Sequence, residues 1–289
     1  MTELLQSSLR LATPLIFASL GGLLCERSGV ATICLEGVLL LSAFTAAAAD
    51  SFTLSPFSSL IAAMITGAAL MGLHAFLTQK AHADHIISGL VINILAAGLP
   101  PLLSQLWFGS STNTPSLPTG ARLNENVFIF MALALPITIS YLLKRTRFGL
   151  RLRSAGEGPE ALETAGVSVA RTRTVALILG GIIVSLGGSY LSISHSSQFL
   201  REMTAGSGFI ALAAIIFGRW RPLPVFLAAL FFGFTDALPL ALQGLTWKGF
   251  SVPVQWIQIL PYLLALLILV TAGGKARPPR AITNPVPLD

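Results

Sequence analysis

Charge is what this 289-residue sequence lacks most: 10% of its residues are Asp, Glu, Lys or Arg, against roughly a quarter in an average soluble domain. A soluble fold of this length would bury a large core but would still need a charged shell to stay in solution. Because 54% of the residues are hydrophobic, the shortage of charge excludes a soluble globular domain. We predict an all-α fold, a polytopic transmembrane helical bundle.

Cysteine and clustered metal-ligating residues are scarce as well. The two cysteines, Cys25 and Cys34, lie in or beside apolar stretches, so we expect two small buried hydrophobic residues and no disulfide framework. The loop residues His82, Asp84 and His85 have no further ligand nearby in the sequence, so we expect no metal site. No His/Asp/Glu cluster has catalytic spacing, which disfavours a membrane enzyme.

A nucleotide-binding loop is also missing. The nearest approach is Gly273-Gly274-Lys275, but Ala276 stands where a P-loop has Ser or Thr, and Leu269 stands where it has Gly. We therefore expect no ATPase activity and no cofactor in this chain. The net charge of +6 does not indicate nucleic-acid binding, because the basic residues lie in short loops between apolar runs and suit topological anchors.

Long apolar runs are abundant. A helix needs about 20 apolar residues to cross the hydrocarbon core, and we predict about eight or nine membrane segments, some of them short or broken. They cover residues 9–25, 29–49, 57–77, 86–108, 127–143, 174–194, 206–217, 222–242 and 255–271. The first lacks a basic region before it, so we expect a retained helix and not a cleaved signal. Segment 206–217 is too short to cross as a straight helix.

Two stretches of the chain share a layout. Residues 29–77 and 206–242 each run as an interrupted apolar segment, then a proline, then a Gly-bearing apolar helix. Paired broken segments are typical of transporters with inverted repeats. Chance similarity between Gly-rich apolar runs is the alternative, and the sequence leaves both open.

Basic residues orient the segments. Placing loop 144–173 in the cytoplasm puts 14 of the 18 Lys and Arg residues on that side and four on the other, as the positive-inside rule requires. The chain would then begin outside and end inside. We expect residues 275–289, which contain four prolines, to be a disordered cytoplasmic tail.

The loop 144–173 contains a predicted short helix. Pro159 suits the first position of a helix and Gly166 the position just past its end. A helix of about seven residues is unstable on its own, so a partner is expected to hold it, with Ala161, Leu162 and Ala165 exposed toward a groove on another protein. A lipid-facing interfacial helix is the alternative.

This stretch resembles the cytoplasmic coupling loop of bacterial ABC importer permeases, in the group that serves branched-chain amino acids, simple sugars and nucleosides. The matching positions are Thr146-Arg147-Phe148-Gly149, Arg151, Arg153, Ala155-Gly156-Glu157, Pro159, Ala161 and Ala165-Gly166-Val167. Gly158 stands where the family often has Asn or Asp, which puts the helix cap in doubt, and Leu162 replaces a second Ala.

Three further blocks extend the resemblance over nearly the whole chain. They are Glu26–Val30 with Leu35-Glu36-Gly37, then Asp84–Asn93, then Gly208–Pro222. The blocks are most similar to the shorter permease subunit of the nucleoside-type subgroup. The resemblance implies a transmembrane permease domain over residues 1–274 in the bacterial cytoplasmic (inner) membrane.

The resemblance also implies partners. An ABC ATPase subunit would hydrolyse ATP and dock on the coupling loop, a second permease subunit would complete the pathway as a heterodimer, and an extracytoplasmic binding lipoprotein would deliver the solute. The coupling residues that the match assigns are Gly156, Glu157, Pro159, Ala161 and Gly166. The implied solute is a nucleoside or a related ribose-bearing compound, with simple sugars and riboflavin as alternatives.

Polar groups within the apolar segments are the candidates for the translocation pathway, because an ionisable side chain in hydrocarbon costs several kcal/mol, order of magnitude. Glu36, Asn93 and Asp236 are such residues, and Phe209 is an aromatic ring on which a nucleobase would stack. Glu36 also fits a structural cap or an ion pair with Arg27, and Asn93 also fits a bridge between helices. An ion-gradient-driven secondary transporter, with Glu36 and Asp236 as ion sites, is the alternative function.

Overall fold

Helices make up nearly all of the structure, a computed structural model that describes residues 2–118, 122–242, 246–247, 250–251, 259, 263 and 277–283. In chain order the elements are α1 (Thr2–Arg27), α2 (Leu35–Thr53), α3 (Pro56–Gln79), α4 (His85–Phe108), α5 (Glu125–Arg145), α6 (Arg147–Glu157), α7 (Pro159–Thr164), α8 (Val169–Ser189), α9 (Ser207–Phe217), α10 (Pro222–Leu242), the antiparallel strands β1 (Thr246–Trp247) and β2 (Phe250–Ser251), and α11 (Arg280–Thr283). Helix α8 continues into a π-helical turn, Tyr190–His195.

Seven of the described helices, α1 to α5, α8 and α10, are long and apolar enough to cross a membrane. This confirms the predicted all-α polytopic bundle. Helix α2 begins at Leu35 and not at residue 29, because residues 28–34 form a turn. The predicted segment 255–271 lies outside the described residues apart from two isolated positions.

The helices form an inner and an outer group. In the apolar part of α1, 83% of the residues are buried. In the apolar parts of α4 and α5 this share is 28%, as expected for helices that face lipid. Glycines let the inner helices approach closely: a side chain at Gly180 would collide with the Gly21 carbonyl of α1, and one at Gly181 with the Gly67 carbonyl of α3. Helix α8 is therefore packed on two sides by small residues.

One crossing is broken, as the short segment 206–217 predicts. After α8 the chain runs beside the loop that precedes α5, where the Arg201 amide donates to the Thr112 carbonyl at 2.8 Å. It then turns into α9, which begins inside the bundle. At the far end, Trp220 Nε1 donates to Glu26 at the C-terminal end of α1 at 2.6 Å. An irregular segment of bends and turns, residues 196–206, and the half-helix α9 together span the bundle.

The end of the bundle that carries Arg27, Lys80, Arg145, helices α6 and α7 and residues 219–221 is called the basic end below. Here the predicted loop 144–173 is mostly helical. Thr146 starts α6 because its hydroxyl accepts from the Gly149 amide at 3.0 Å, and Ser168 starts α8 by accepting from the Arg171 amide at 3.3 Å. The sequence prediction missed α6 and began α8 five residues late, since both stretches are too polar for an apolar-run criterion.

Residues Arg280–Thr283 of the predicted tail form α11. Helix α11 packs against α6, and Ala281 is buried. A side chain at Gly29, whose φ is +94°, would collide with the Cβ of Ala281. Residues 275–276 and 284–289 lie outside the described part of the chain.

Candidate translocation and coupling sites

The break before α9 is closed by Glu36, in the first turn of α2. One carboxylate oxygen accepts from the Thr204 hydroxyl at 2.6 Å and from the Gly206 amide at 2.9 Å, and the other accepts from the Gly208 amide at 2.6 Å. Amides at a helix start have no partner within the helix, and inside a membrane water cannot serve them. The carboxylate supplies three charge-assisted bonds at the positive end of α9.

Two glycines bring the backbones together at this break. A side chain at Gly208 would collide with the Glu36 backbone, and one at Gly37 would lie 2.9 Å from Asn93 Oδ1. Asn93 itself bridges two elements: its Oδ1 accepts from the Gly37 amide at 2.8 Å, and its Nδ2 donates to the Ile33 carbonyl at 3.0 Å. The contacts place Asn93 in the helix-bridging arrangement and join α4 to the start of α2.

Phe209 lies on the first turn of α9, next to the amide that Glu36 binds, and its side chain is 48% exposed. Glu36, Asn93 and Phe209 therefore lie at one place, around the adjoining starts of α2 and α9. The structure does not bring Asp236 into this group. Asp236 is half-buried on α10 and makes no hydrogen bond or ion pair within the described part of the chain.

Three other aromatic side chains near this region or near segment ends are buried. Phe44 is fully buried and stacks on Trp107, with ring centroids 6.0 Å apart and an interplanar angle of 17°. Phe128 and Trp220 suit interfacial anchors by their position near segment ends, yet both are buried. Phe128 packs edge-on against Phe17, and the Trp220 indole is bound to Glu26.

Helix α7, six residues from Pro159 to Thr164, is the predicted coupling helix. Gly166 follows it at φ +75°, a left-handed conformation that favours glycine. Gly158, which stands where the family often has Asn or Asp, leaves the start of α7 without a side-chain cap. Leu162 is buried with Ala155 and Val169, so its predicted exposure is wrong: a helix this short needs an apolar anchor to the bundle.

The outward face of α7 is acidic. Glu160, Ala161 and Glu163 are exposed, and so is Glu157 just before the helix. Glu157 pairs with Arg27 at 3.4 Å, with 57% of its side chain still exposed. Of the predicted coupling residues, Glu157, Ala161 and Gly166 lie on the surface, whereas Pro159 and Gly156 are buried.

Gly156 fixes α6 to the end of α1. A side chain there would collide with the Arg27 carbonyl. Arg173, at the start of α8 and 4% exposed, holds the same junction. Its Nε donates to the Ser28 carbonyl at 3.1 Å, one terminal nitrogen donates to the Ala155 carbonyl at 3.2 Å and the other to Gln79 Oε1 at 3.4 Å.

Arg173 thus links α8, the turn after α1, α6 and the end of α3. Sequence reasoning missed it, because its nearest backbone partners are 18 and 145 residues away along the chain. The Glu26–Arg27–Ser28–Gly29 block offered a signal. Each of its residues contacts a distant element at the basic end or shapes the turn there. A short polar motif directly after an apolar run can indicate such a junction.

Sequence comparison places the chain among transport proteins. Residues 4–270 match the family described as branched-chain amino acid transport system, permease component. The nucleoside ABC transporter permease protein NupC of Lactococcus lactis subsp. cremoris is 34% identical, with 93% of this chain and 92% of that protein covered. The guanosine ABC transporter permease protein NupQ of Bacillus subtilis is 35% identical, with 96% and 93% covered.

A solved structure shares the fold. An ABC transporter of metal-chelate type in an inward-facing conformation aligns with a TM-score of 0.54 over 93% of this chain and 84% of that chain. Its sequence identity is 18%, so the likeness concerns the arrangement of helices.

Proposed function

We propose that this chain, which belongs to the family of branched-chain amino acid transport system permease components, imports nucleosides as the membrane-spanning subunit of an ATP-driven transporter. It is an ABC transporter permease with several membrane spans. The nucleoside specificity, the inward direction and the location in the bacterial cytoplasmic membrane are parts of the proposal.

The observation that carries the proposal is the geometry of α7. A six-residue helix is held to the bundle by buried Leu162 and presents Glu160 and Glu163 outward, and Glu157 is exposed just before it. Such a surface fits a groove with basic residues on a cytoplasmic ATPase subunit. Because α6 is bound to α1, α3 and α8 through Arg173, movement of α7 would reach the membrane helices through rigid contacts.

The substrate class rests on the relatives and on one aromatic side chain. Both similar proteins are named as permeases for nucleosides or guanosine. The break beside α9 offers the half-exposed ring of Phe209, on which a base would stack with about 1–3 kcal/mol. A second permease subunit would close the other half of the pathway, and a binding lipoprotein would deliver the solute.

Competition for uptake tests the substrate class. Proteoliposomes with the assembled complex take up labelled guanosine in the presence of excess unlabelled guanosine, ribose or riboflavin. We expect strong competition by guanosine and weak competition by the other two. Equal competition by ribose would show a sugar permease, and equal competition by riboflavin would show a flavin permease; either result would refute the nucleoside assignment.

Phe209 gives a residue-level prediction. Phe209→Leu removes the stacking face and is expected to weaken the apparent affinity for guanosine about tenfold, whereas Phe209→Tyr keeps it. Phe130→Leu, on the outward face of α5 and 72% exposed, is the matched control and should transport normally. Equal affinity of the Phe209→Leu variant and wild type would exclude stacking at this ring.

A further inference from the structure

A cavity of about 480 Å³ opens at the basic end, where α5 and α6 meet the turn before α10. It lies beside the last turn of α5, with Lys144, and the first residue of α10, Pro222. Both helices are membrane spans, so the cavity lies at the boundary between hydrocarbon and water. The indole of Trp220 and the side chain of Leu143 form its apolar wall.

Four basic side chains line this cavity: Arg27, Lys144, Arg153 and Arg221. Arg27 lies close enough to Arg153 and Arg221 for like-charge repulsion. Only one of the four, Arg27, forms an ion pair with a described acidic residue, Glu157. The Nε of Arg27 is buried and has no hydrogen-bond partner among the described residues, although a buried donor normally has one. The excess of positive charge in this lining favours an anion as the occupant.

A second hollow of about 340 Å³ continues from the cavity along α5 and shares Ser140, Lys144 and Leu223 with it. Its far part is apolar, formed by Pro136 and Ile137. From Lys144 to Pro136 is about 12 Å along a helix axis, so the groove runs from the boundary into the depth of the hydrocarbon layer. Ile137 is 73% exposed on the outward side.

We propose that this paired site binds an anionic phospholipid. Its phosphate would accept hydrogen bonds from Arg27, Lys144 and Arg221, and one acyl chain would lie along α5. Basic pockets between transmembrane helices bind such headgroups, and Arg–phosphate bonds are strong when they are charge-assisted. Free phosphate shares the headgroup chemistry. The apolar groove that leads out of the cavity fits an acyl chain, however, and inorganic phosphate has no group that would occupy it.

Native mass spectrometry of the detergent-purified full chain, with the partners that copurify, tests the proposal. The probes are dioleoylphosphatidylglycerol, dioleoylphosphatidylcholine and inorganic phosphate. We expect phosphatidylglycerol to remain bound, phosphatidylcholine to dissociate and phosphate to compete weakly. Lys144→Gln with Arg221→Gln should weaken phosphatidylglycerol binding at least tenfold, since each basic residue contributes about 1 kcal/mol near an anionic lipid.

The matched control is Lys80→Gln with Arg171→Gln. This pair removes the same two residue types from another groove, between α3 and α8 at the basic end, and should change binding less than twofold. Ile137→Trp, which fills the acyl groove and keeps every charge, should also weaken binding and serves where the double variant fails to fold. Equal binding of both lipids, full displacement by phosphate, or equal loss in the Lys80/Arg171 control would overturn the proposal.

Discussion

At the scale of single residues, the Glu36 carboxylate takes the place that water has at an exposed helix start. Its three acceptor contacts serve the hydroxyl and amides that the break before α9 leaves inside the bundle. A carboxylate in a membrane is costly by itself, and here three donors offset that cost. Glu36, whose residue type suggests substrate contact, therefore caps the start of α9. The neighbouring Phe209 is the side chain of this group that remains exposed.

Glu36→Gln places an amide NH₂ against N–H donors. We expect loss of at least one of the three bonds and a decrease in the free energy of unfolding of about 2 kcal/mol, read as a lower thermal midpoint in detergent. Glu202→Gln, a carboxylate exposed in the preceding turn, is the control and should leave the midpoint unchanged. A Glu36→Gln midpoint equal to wild type would contradict the capping role.

Arg173 is the second residue whose substitution is expected to disturb several elements at once, because it bonds to three of them. Arg173→Lys keeps the charge but cannot reproduce the fork-shaped set of donors, so contacts to Ser28, Gln79 and Ala155 cannot all persist. We expect a lower thermal midpoint and slower ATP-driven uptake. Arg171→Lys, two residues earlier and exposed, should match wild type in both. Unimpaired uptake by the Arg173→Lys variant would show that this junction does not transmit coupling.

At the scale of helices, the position of α6 sets the position of α7, because one residue separates the two helices. Gly156→Ala introduces a methyl group against the Arg27 carbonyl, and we expect α6 to shift and recovery of the copurifying ATPase subunit to fall several-fold. Gly158→Ala is the matched control two residues away, because a Cβ there meets Ala161 Cβ at 4.0 Å, an ordinary contact. Equal recovery of the ATPase with both variants would separate α6 placement from docking.

The helices show how far sequence carries the interpretation. Apolar length predicted the spans through α10, and the Pro159 and Gly166 pair predicted α7, since both signals are local. The burial of Leu162 and the start of α2 depend on packing between elements, which local periodicity does not record. The Arg173 junction joins residues far apart in the chain, and one sequence contains no measure of such distances.

At the scale of the whole molecule, a closely packed inner group and a broken crossing share one bundle. Helices α1 and α8 are packed through glycines, whereas the half-helix α9 begins at a capped break inside the bundle and ends at the turn held by Trp220 and Glu26. The same Glu26–Arg27 segment contacts α6 through Gly156 and Glu157. The basic end therefore connects α7, the proposed coupling helix, to the crossing that contains the proposed binding region.

The most direct measurement is uptake of labelled guanosine into proteoliposomes, with the complex assembled either with its ATPase subunit or without it. We expect accumulation to require the ATPase and ATP, and we expect Glu157→Arg, which reverses a charge on the proposed docking surface, to abolish it. The same uptake without the ATPase, driven by a proton or sodium gradient, would refute the ATP-driven mechanism and identify a secondary transporter.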